Sequence, residues 1–293
     1  MVQIFKKLFA PKVQPLNLVT VSRKKILHNL YHLQMLQPGL ELFPVIKSNA
    51  YGHGIELMCK LLAETTISTV CVDSFIEYQY VEKHTTKDIL LLGETNHHNY
   101  SLFDFKRTIF AVSNLDTLNY LIGLKRTIRI HLFVNTGMNR EGFSEKDLKK
   151  SLLILPGSKL KVDGVMSHFH SADLPNMKSM KEQVSLFKKY YHRIEEAGFS
   201  PKYRHISASA GILKLQDSFF NAGRPGIAMY GYNPLLKKDK YYKNGEDLQP
   251  ALEVFTTVVG IQKVKSGEGV SYGYTHVCKE NAILATIPFG YYE

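Results

Sequence analysis

Apolar stretches of five to eight residues alternate with amphipathic stretches for about 235 residues, and this alternation limits the fold more than any other feature. "ELFPVI" (41–46), "STVCVDS" (68–74), "DILLLGE" (88–94), "TIRIHLFVN" (127–135) and "KVDGVMSHF" (161–169) read as strands, and "YRHISAS" (203–209) and "GIAMYG" (226–231) close the series. Between them lie helical patterns. One runs from Ser22, a plausible N-cap, to about Leu36, with Ile26, Leu27, Leu30 and Leu33 on its apolar face and Pro38-Gly39 ending it. "IELMCKLLAE" (55–64) is a second, and a later helix places Val184, Phe187, Tyr191 and Ile194 on one side. Short apolar strands separated by helices predict a parallel sheet covered by helices. The number of units and their length favour a (β/α)8 TIM-type barrel over an open sheet.

The pattern changes near residue 240. "LLKKDKYYKNGEDLQP" (235–250) is polar and turn-rich and reads as a linker, and from Ala251 the chain is strand-like without a helical period. The expected division is therefore a barrel over 1–240 and a small, incomplete β domain over 241–293.

Charge and cysteine content exclude several classes. The formal charge is +11, but the basic residues are scattered in groups such as Arg23-Lys24-Lys25 and Lys149-Lys150. No basic stripe interleaved with aromatics marks a nucleic-acid groove, whereas a positive field suits an anionic small ligand. Three cysteines without CxxC spacing fit a reducing compartment. The basic start "MVQIFKKLFAPK" lacks a signal-peptide core, and no window approaches eighteen apolar residues. The expectation is a cytoplasmic protein that engages neither nucleic acid nor membrane.

The chemistry converges on strand ends. In a barrel the strand C-termini share one face, where active sites are built. Lys47 ends "ELFPVI" and enters the small, glycine-bounded turn "SNAYGHG". A lysine so placed can form a Schiff base, because desolvation frees a nucleophilic amine. His168-x-His170, with Asp173 and His205, offers a different chemistry, a metal-dependent hydrolase at a strand end. That reading leaves Lys47 and Arg224 without a role.

Six segments in order resemble the alanine racemases, a family of barrel-type pyridoxal-phosphate (PLP) enzymes. They are "KSNAYGHG" (47–54), "HLFVNTGMNREG" (131–142), "SHF" (167–169), "SASAG" (207–211), "RPGIAMYG" (224–231) and "GVSYG" (269–273). The resemblance covers essentially the whole chain. It implies racemisation of L- and D-alanine, supplying D-alanine for cell-wall peptidoglycan, by a homodimer whose active sites are shared across the interface. Lys47 would bind pyridoxal 5′-phosphate and act as one base, and Tyr272, reaching in from the partner subunit, would be the other. His168 and Arg224 would form a hydrogen-bond chain whose positive charge lowers the pKa of that phenol. Arg224 would also face the pyridine nitrogen. Gly226 and Ile227 would give backbone donors to the phosphate, and Ser209 and Tyr51 hydroxyls. Arg140 would contact the cofactor hydroxyl and the substrate carboxylate, and Tyr291 would line the substrate entrance.

The chain departs from the family pattern in four places. Phe133 stands where the family often carries a modified lysine that buttresses the arginine matched by Arg140, so Arg140 is expected to be held through Asn135 or a bound anion. Asn135 itself replaces an aspartate, and Ala208 replaces an asparagine. The sequence given stops at Glu293, inside the matched β domain. The expectation from that stop is an intact, PLP-binding barrel that dimerises weakly and racemises poorly. A PLP-binding remnant without turnover is the corresponding alternative.

Overall fold

The computed structural model describes residues 14–290. In chain order the strands and main helices are β1 (Asn17–Val21), α1 (Arg23–Leu36), β2 (Glu41–Leu42), α2 (Ile55–Ala63), β3 (Thr69–Val72), α3 (Phe75–His84) and β4 (Asp88–Leu91). There follow β5 (Thr108–Val112), α4 (Leu115–Gly123), β6 (Ile128–Phe133), α5 (Glu145–Ile154), β7 (Leu160–Met166), α6 (Lys178–Glu196), β8 (Tyr203–His205), α7 (Ser209–Lys214) and β9 (Ala222–Gly223). The last strands are β10 (Leu252–Thr256), β11 (Gly260–Val264), β12 (Gly269–Val270), β13 (His276–Val277) and β14 (Ala282–Thr286).

Residues 22–251 form one compact unit. Its six strands β3-β4-β5-β6-β7-β8 pair in parallel, in chain order, and β2 pairs in parallel with β9. Two bridges join these pieces into a ring. Val45 pairs with Cys71 beside β3, and Ala208 pairs with Arg224 beyond β8 and β9. The backbone bonds Ile46 N to Cys71 O (2.9 Å) and Arg224 N to Ser207 O (2.9 Å) seal the joints. The result is a closed barrel of eight parallel strands. Its lumen is packed by residues from every strand or its end, among them Phe43, Val45, Cys71, Leu90, Ile109 and Phe133. Strands buried on both faces need such continuous apolar runs.

Helix starts are set by local chemistry. Ser22 caps α1, accepting from Lys25 N, while Asn114 and Ser144 cap α4 and α5 through their side chains. Each cap satisfies a donor that the first helical turn leaves free.

Several expectations need correction. The closing strand is Ala222–Gly223, just upstream of "GIAMYG", which forms turns in which Met229 N bonds Gly226 O and Tyr230 N bonds Ile227 O. The segment 235–250 does not behave as a linker. Asp239 forms a fully buried ion pair with Lys214 of α7 at 2.7 Å, and Asn29 of α1 exchanges side-chain bonds with Gln249 (2.9 Å and 2.8 Å). The segment looks like a tether in sequence, yet Asp239 is spent on a buried partner within the barrel and the backbone of Gln249 is pinned by Asn29.

The second unit comprises residues 14–21 and 252–290, so the contact boundary falls at 251/252, whereas composition suggested 240/241. In it β1 pairs antiparallel with β10, β11 with β14, and β12 with β13. Apolar side chains on these strands are largely exposed, with Ile261 at 67% and Ile283 at 70%.

Candidate active site

Lys47 follows the short β2 segment, where Val45 N bonds Pro225 O at 2.9 Å. The next four residues, Ser48, Asn49, Ala50 and Tyr51, all have φ between 51° and 56°, forming a left-handed turn without a single glycine. L-residues pay about 1–2 kcal/mol each for this conformation. Local bonds hold it. Gly52 N bonds Ser48 O (3.2 Å) and Asn49 O (3.1 Å), and the Asn49 side chain accepts from Ile55 N at 2.9 Å. His53 Nδ1 donates to Ala50 O and Tyr51 O at 3.2 Å and 3.1 Å. The residues after Lys47 carry an inverted backbone that re-aims the chain.

A cavity of about 390 Å³ opens at the strand ends. Lys47, Arg140, His168 and Arg224 line it, with Tyr51, Ser209, Gly226 and Ile227. The structure thus gathers eight of the expected site residues in one place. Two acids also line the cavity, Asp73 and Glu141. Lys47 Nζ stands 3.4 Å from Asp73 Oδ2. Tyr272 belongs to the second unit, where its ring is 97% exposed. Tyr291 lies outside the described residues.

Arg224 organises the cavity floor. It is 2% exposed, and burial pushes it down to about 10, which leaves it cationic at neutral pH. Its Nη2 donates to Ser167 O at 2.6 Å and to His168 Nδ1 at 3.3 Å. Its Nη1 donates to His205 Nδ1. A guanidinium can only donate, so both imidazole nitrogens must be acceptors. His205 Nε2 then carries the hydrogen and donates to His131 Nδ1 at 2.8 Å. The chain ends at His131 Nε2, a buried N–H with no protein partner among the described residues. Gly164 makes room for that ring, because a Cβ there would stand 2.7 Å from it.

This network corrects two expectations. Burial first, then Arg224, Arg140 and Lys47, push His168 down to about 3, so it is a neutral imidazole. The positive charge in the Arg224–His168 chain therefore resides on Arg224 alone. The metal reading also loses two of its four ligands, since the guanidinium occupies the Nδ1 lone pairs of both His168 and His205.

Arg140 is not held by Asn135. Asn135 Oδ1 accepts from Gly137 N (2.9 Å) and Asn139 N (3.2 Å), and its Nδ2 donates to Asn139 Oδ1, so the loop consumes it. Glu141 takes the guanidinium instead, accepting Nε at 3.0 Å and Nη2 at 2.7 Å on one oxygen. Phe133 is 4% exposed and packs in the barrel core at the cavity wall.

Residues Ser209, Gly226 and Ile227 form a cradle at another side of the cavity. Ser209 Oγ accepts from Gly226 N (3.0 Å) and Ala228 N (3.1 Å), which leaves its hydroxyl hydrogen to donate. Tyr51 Oη would lie 2.8 Å from a Cβ at position 226, so the hydroxyl reaches this backbone only because residue 226 is glycine. Hydroxyl donors here and an amine opposite form a set that fits a phosphate-bearing aldehyde.

Asp73, Glu77 and Glu141 escaped the sequence reading. Glu77 had a signal, the Ser74-x-x-Glu77 spacing of a capping box, which the structure contains. Asp73 and Glu141 had none, because their importance comes from the spatial neighbours Lys47 and Arg140.

Known proteins match the chain over most of its length. The family model described as the alanine racemase N-terminal domain matches residues 21–234, and that of the C-terminal domain matches residues 251–293. Alanine racemase 1 of Clostridium acetobutylicum is 32% identical over 281 residues, covering 92% of this chain and 71% of that protein. The solved alanine racemase of Clostridium difficile 630 superposes with a TM-score of 0.86 at 25% identity, covering 96% of this chain and 75% of that one. The alanine racemase from Bacillus anthracis, solved with bound L-Ala-P, gives a TM-score of 0.82 at 30% identity, covering 95% and 73%.

Proposed function

Starting from a chain that belongs to the alanine racemase family, we propose that it interconverts L- and D-alanine using pyridoxal 5′-phosphate held on Lys47. The observation that carries this reading is the single cavity holding Lys47, Arg224, Arg140 and the Ser209–Gly226 cradle together. When bound, PLP supplies an aldehyde for the Lys47 amine and a ring that spreads the negative charge left on the substrate Cα.

The protein's residues supply the rest. Ser209, Tyr51 and the backbone N–H of Ile227 would hold the phosphate; the Gly226 N–H, expected as a second backbone donor, is taken by Ser209 Oγ at 3.0 Å. Arg224 would face the ring nitrogen. Its Nε–H has no protein acceptor among the described residues, and a guanidinium does not give up a proton readily. The ring nitrogen would therefore stay unprotonated, which tempers charge withdrawal and favours return of a proton to Cα. Arg140 would bind the substrate carboxylate. Glu141 occupies Nε and one Nη2 hydrogen, so the guanidinium retains further donors for a second anion.

Racemisation needs a proton removed from one face of Cα and delivered to the other. Lys47 would serve one face. The second base would be the partner subunit's Tyr272, in a homodimer whose sites are shared. The exposure of Tyr272 on its own unit supports that assignment. The cationic Arg224 would favour the phenolate, and neutral His168 would relay a hydrogen bond without adding charge. The product would serve reactions that consume D-alanine, such as cell-wall peptidoglycan synthesis, in the cytoplasm. Among the described residues no helix is long and apolar enough to cross a membrane.

Borohydride reduction of the PLP-loaded protein, followed by peptide mapping, should place a pyridoxyl group on the peptide containing Lys47. The same preparation should convert L-alanine to D-alanine. A label on a different lysine would remove the basis of this assignment.

A further inference from the structure

Glu77, in the first turn of α3, has a carboxylate that serves two strand ends at once. Its Oε1 accepts the backbone N–H of Ser48, the residue directly after Lys47, at 2.7 Å. Its Oε2 accepts the N–H of Asp73 at 2.8 Å and that of Ser74 at 3.3 Å. A capping box requires only the Ser74 contact. The bonds to Ser48 and Asp73 go beyond it, and the first spans 29 positions in sequence.

Each tethered residue matters to Lys47. Ser48 opens the left-handed turn, so its N–H is the backbone donor at the point where the chain inverts. The far end of that turn is closed by Gly52, Asn49 and His53, and Glu77 holds the near end. Asp73 carries the carboxylate 3.4 Å from Lys47 Nζ. Its other side is fixed by Gly93, where a Cβ would stand 2.2 Å from Asp73 O. One ionised side chain therefore sets the spacing between the Lys47 turn and the Asp73 backbone. Bonds to a charged acceptor are the strong class for such a tether.

We propose that Glu77 is a positioning residue for Lys47: its two oxygens lock the left-handed turn and the Asp73 backbone in register, so that the lysine amine is presented for covalent capture of an aldehyde. This rests on Lys47 being the PLP-binding lysine. Glu77 touches neither cofactor nor substrate and acts through Ser48 and Asp73.

The test separates tethering from helix capping. Ser74→Ala removes the hydroxyl that accepts Glu77 N at 3.3 Å and leaves the carboxylate bonds in place. Glu77→Gln keeps the shape but removes the charge and turns one acceptor into a donor. Glu77→Asp keeps the charge but is too short to serve both strand ends. For the full chain and each variant, PLP is titrated while the absorbance of the lysine-bound form is followed, and the melting temperature of the PLP-free protein is measured. Ser74→Ala should lower the melting temperature yet change the PLP dissociation constant by less than about threefold. Glu77→Gln and Glu77→Asp should each weaken PLP binding by about tenfold or more, the loss expected when a bond to a charged group goes. If both Glu77 variants bind PLP as Ser74→Ala does, Glu77 is a cap and the proposal fails. Should Glu77→Gln not fold, Glu77→Asp alone decides, and wild-type affinity in it also overturns the proposal. Borohydride labelling of the wild type runs in parallel. Absence of label on Lys47 would defeat the Lys47 assignment itself, a result distinct from unchanged affinity in the Glu77 variants.

Discussion

Arg224 has five acceptors in place before any ligand arrives, namely Ser167 O, His168 Nδ1, both Nδ1 and O of His205, and Ile206 O. That arrangement dictates the tautomers of His205 and His131 and strands one N–H at the barrel centre. The ring of His131 fits only because residue 164 is glycine. Gly164→Ala should therefore destabilise the protein by about 1–3 kcal/mol, as overpacking does, measured as a lowered urea midpoint with an unchanged slope. Tyr272 gives a functional prediction at the same scale. If it serves one face of the substrate, Tyr272→Phe should slow α-proton exchange from one enantiomer by about 10²–10⁴-fold and leave the other far less affected. Equal, slight losses for both enantiomers would make it a packing residue. Lys47, His168 and Arg224 were legible in the sequence because each sits in a recognisable motif at a strand end. The charge on His168 was not legible, since burial and the neighbouring guanidinium decide it, and neither is written in a motif.

Among elements, the left-handed turn after Lys47 diverges most from what its residues prefer. "SNAY" contains no glycine, yet all four residues adopt positive φ. Ser48→Gly should remove about 1–2 kcal/mol of steric cost there and return part of it as unfolded-state entropy, a net gain of roughly 0.5–1 kcal/mol. Thermal melts of the PLP-free protein would show it, and an unchanged or lower midpoint would mean the turn is not strained at Ser48. No periodicity argument could find this element, because hydrophobic pattern carries no information about the sign of φ. The long barrel strands were legible for the opposite reason, since continuous apolar runs such as "TIRIHLF" leave few alternatives. β5 and α3 were not singled out. β5 is five buried residues, "TIFAV", between polar turns, too short for a period to assert itself. The two-residue β2 and β9 are defined by pairing rather than by composition.

For the whole molecule, burial of three imidazoles sets a pH dependence. Burial is the leading cause in each case, with Arg224 adding to it, and His131 and His168 are pushed down to about 3 while His205 lies well below its usual value. The folded protein therefore holds these rings neutral, whereas the unfolded chain protonates them below about pH 6.5. Their stabilising contribution is complete above that pH and is lost as the pH falls toward 3. Each proton taken up on unfolding costs about 1.4 kcal/mol of stability per pH unit. Urea midpoints should fall clearly between pH 7 and pH 5, and a flat profile would show that the rings are protonated in the fold. The division into units was partly legible. The loss of helical period near residue 240 marked a change of architecture, but the polar segment 235–250 concealed its buried ion pair, and nothing in "NLVTV" (17–21) marked it as a strand of the second unit.

The pairing of β1 with β10 also imposes an order in time. Asn17 and Thr256, 239 positions apart, are partners, and the entire barrel lies between them. During translation at about 5–20 residues per second, β1 would leave the ribosome roughly 10–50 s before its partner exists. The strands of the barrel emerge within that interval, and the ring can close without β1. For that period β1 is an unpaired edge carrying Leu18 and Val19, the kind of segment that other chains can capture. Slowing synthesis across the barrel would lengthen the wait, so the yield of correctly paired protein should depend on translation speed and on the chaperones that reach this strand while it is alone.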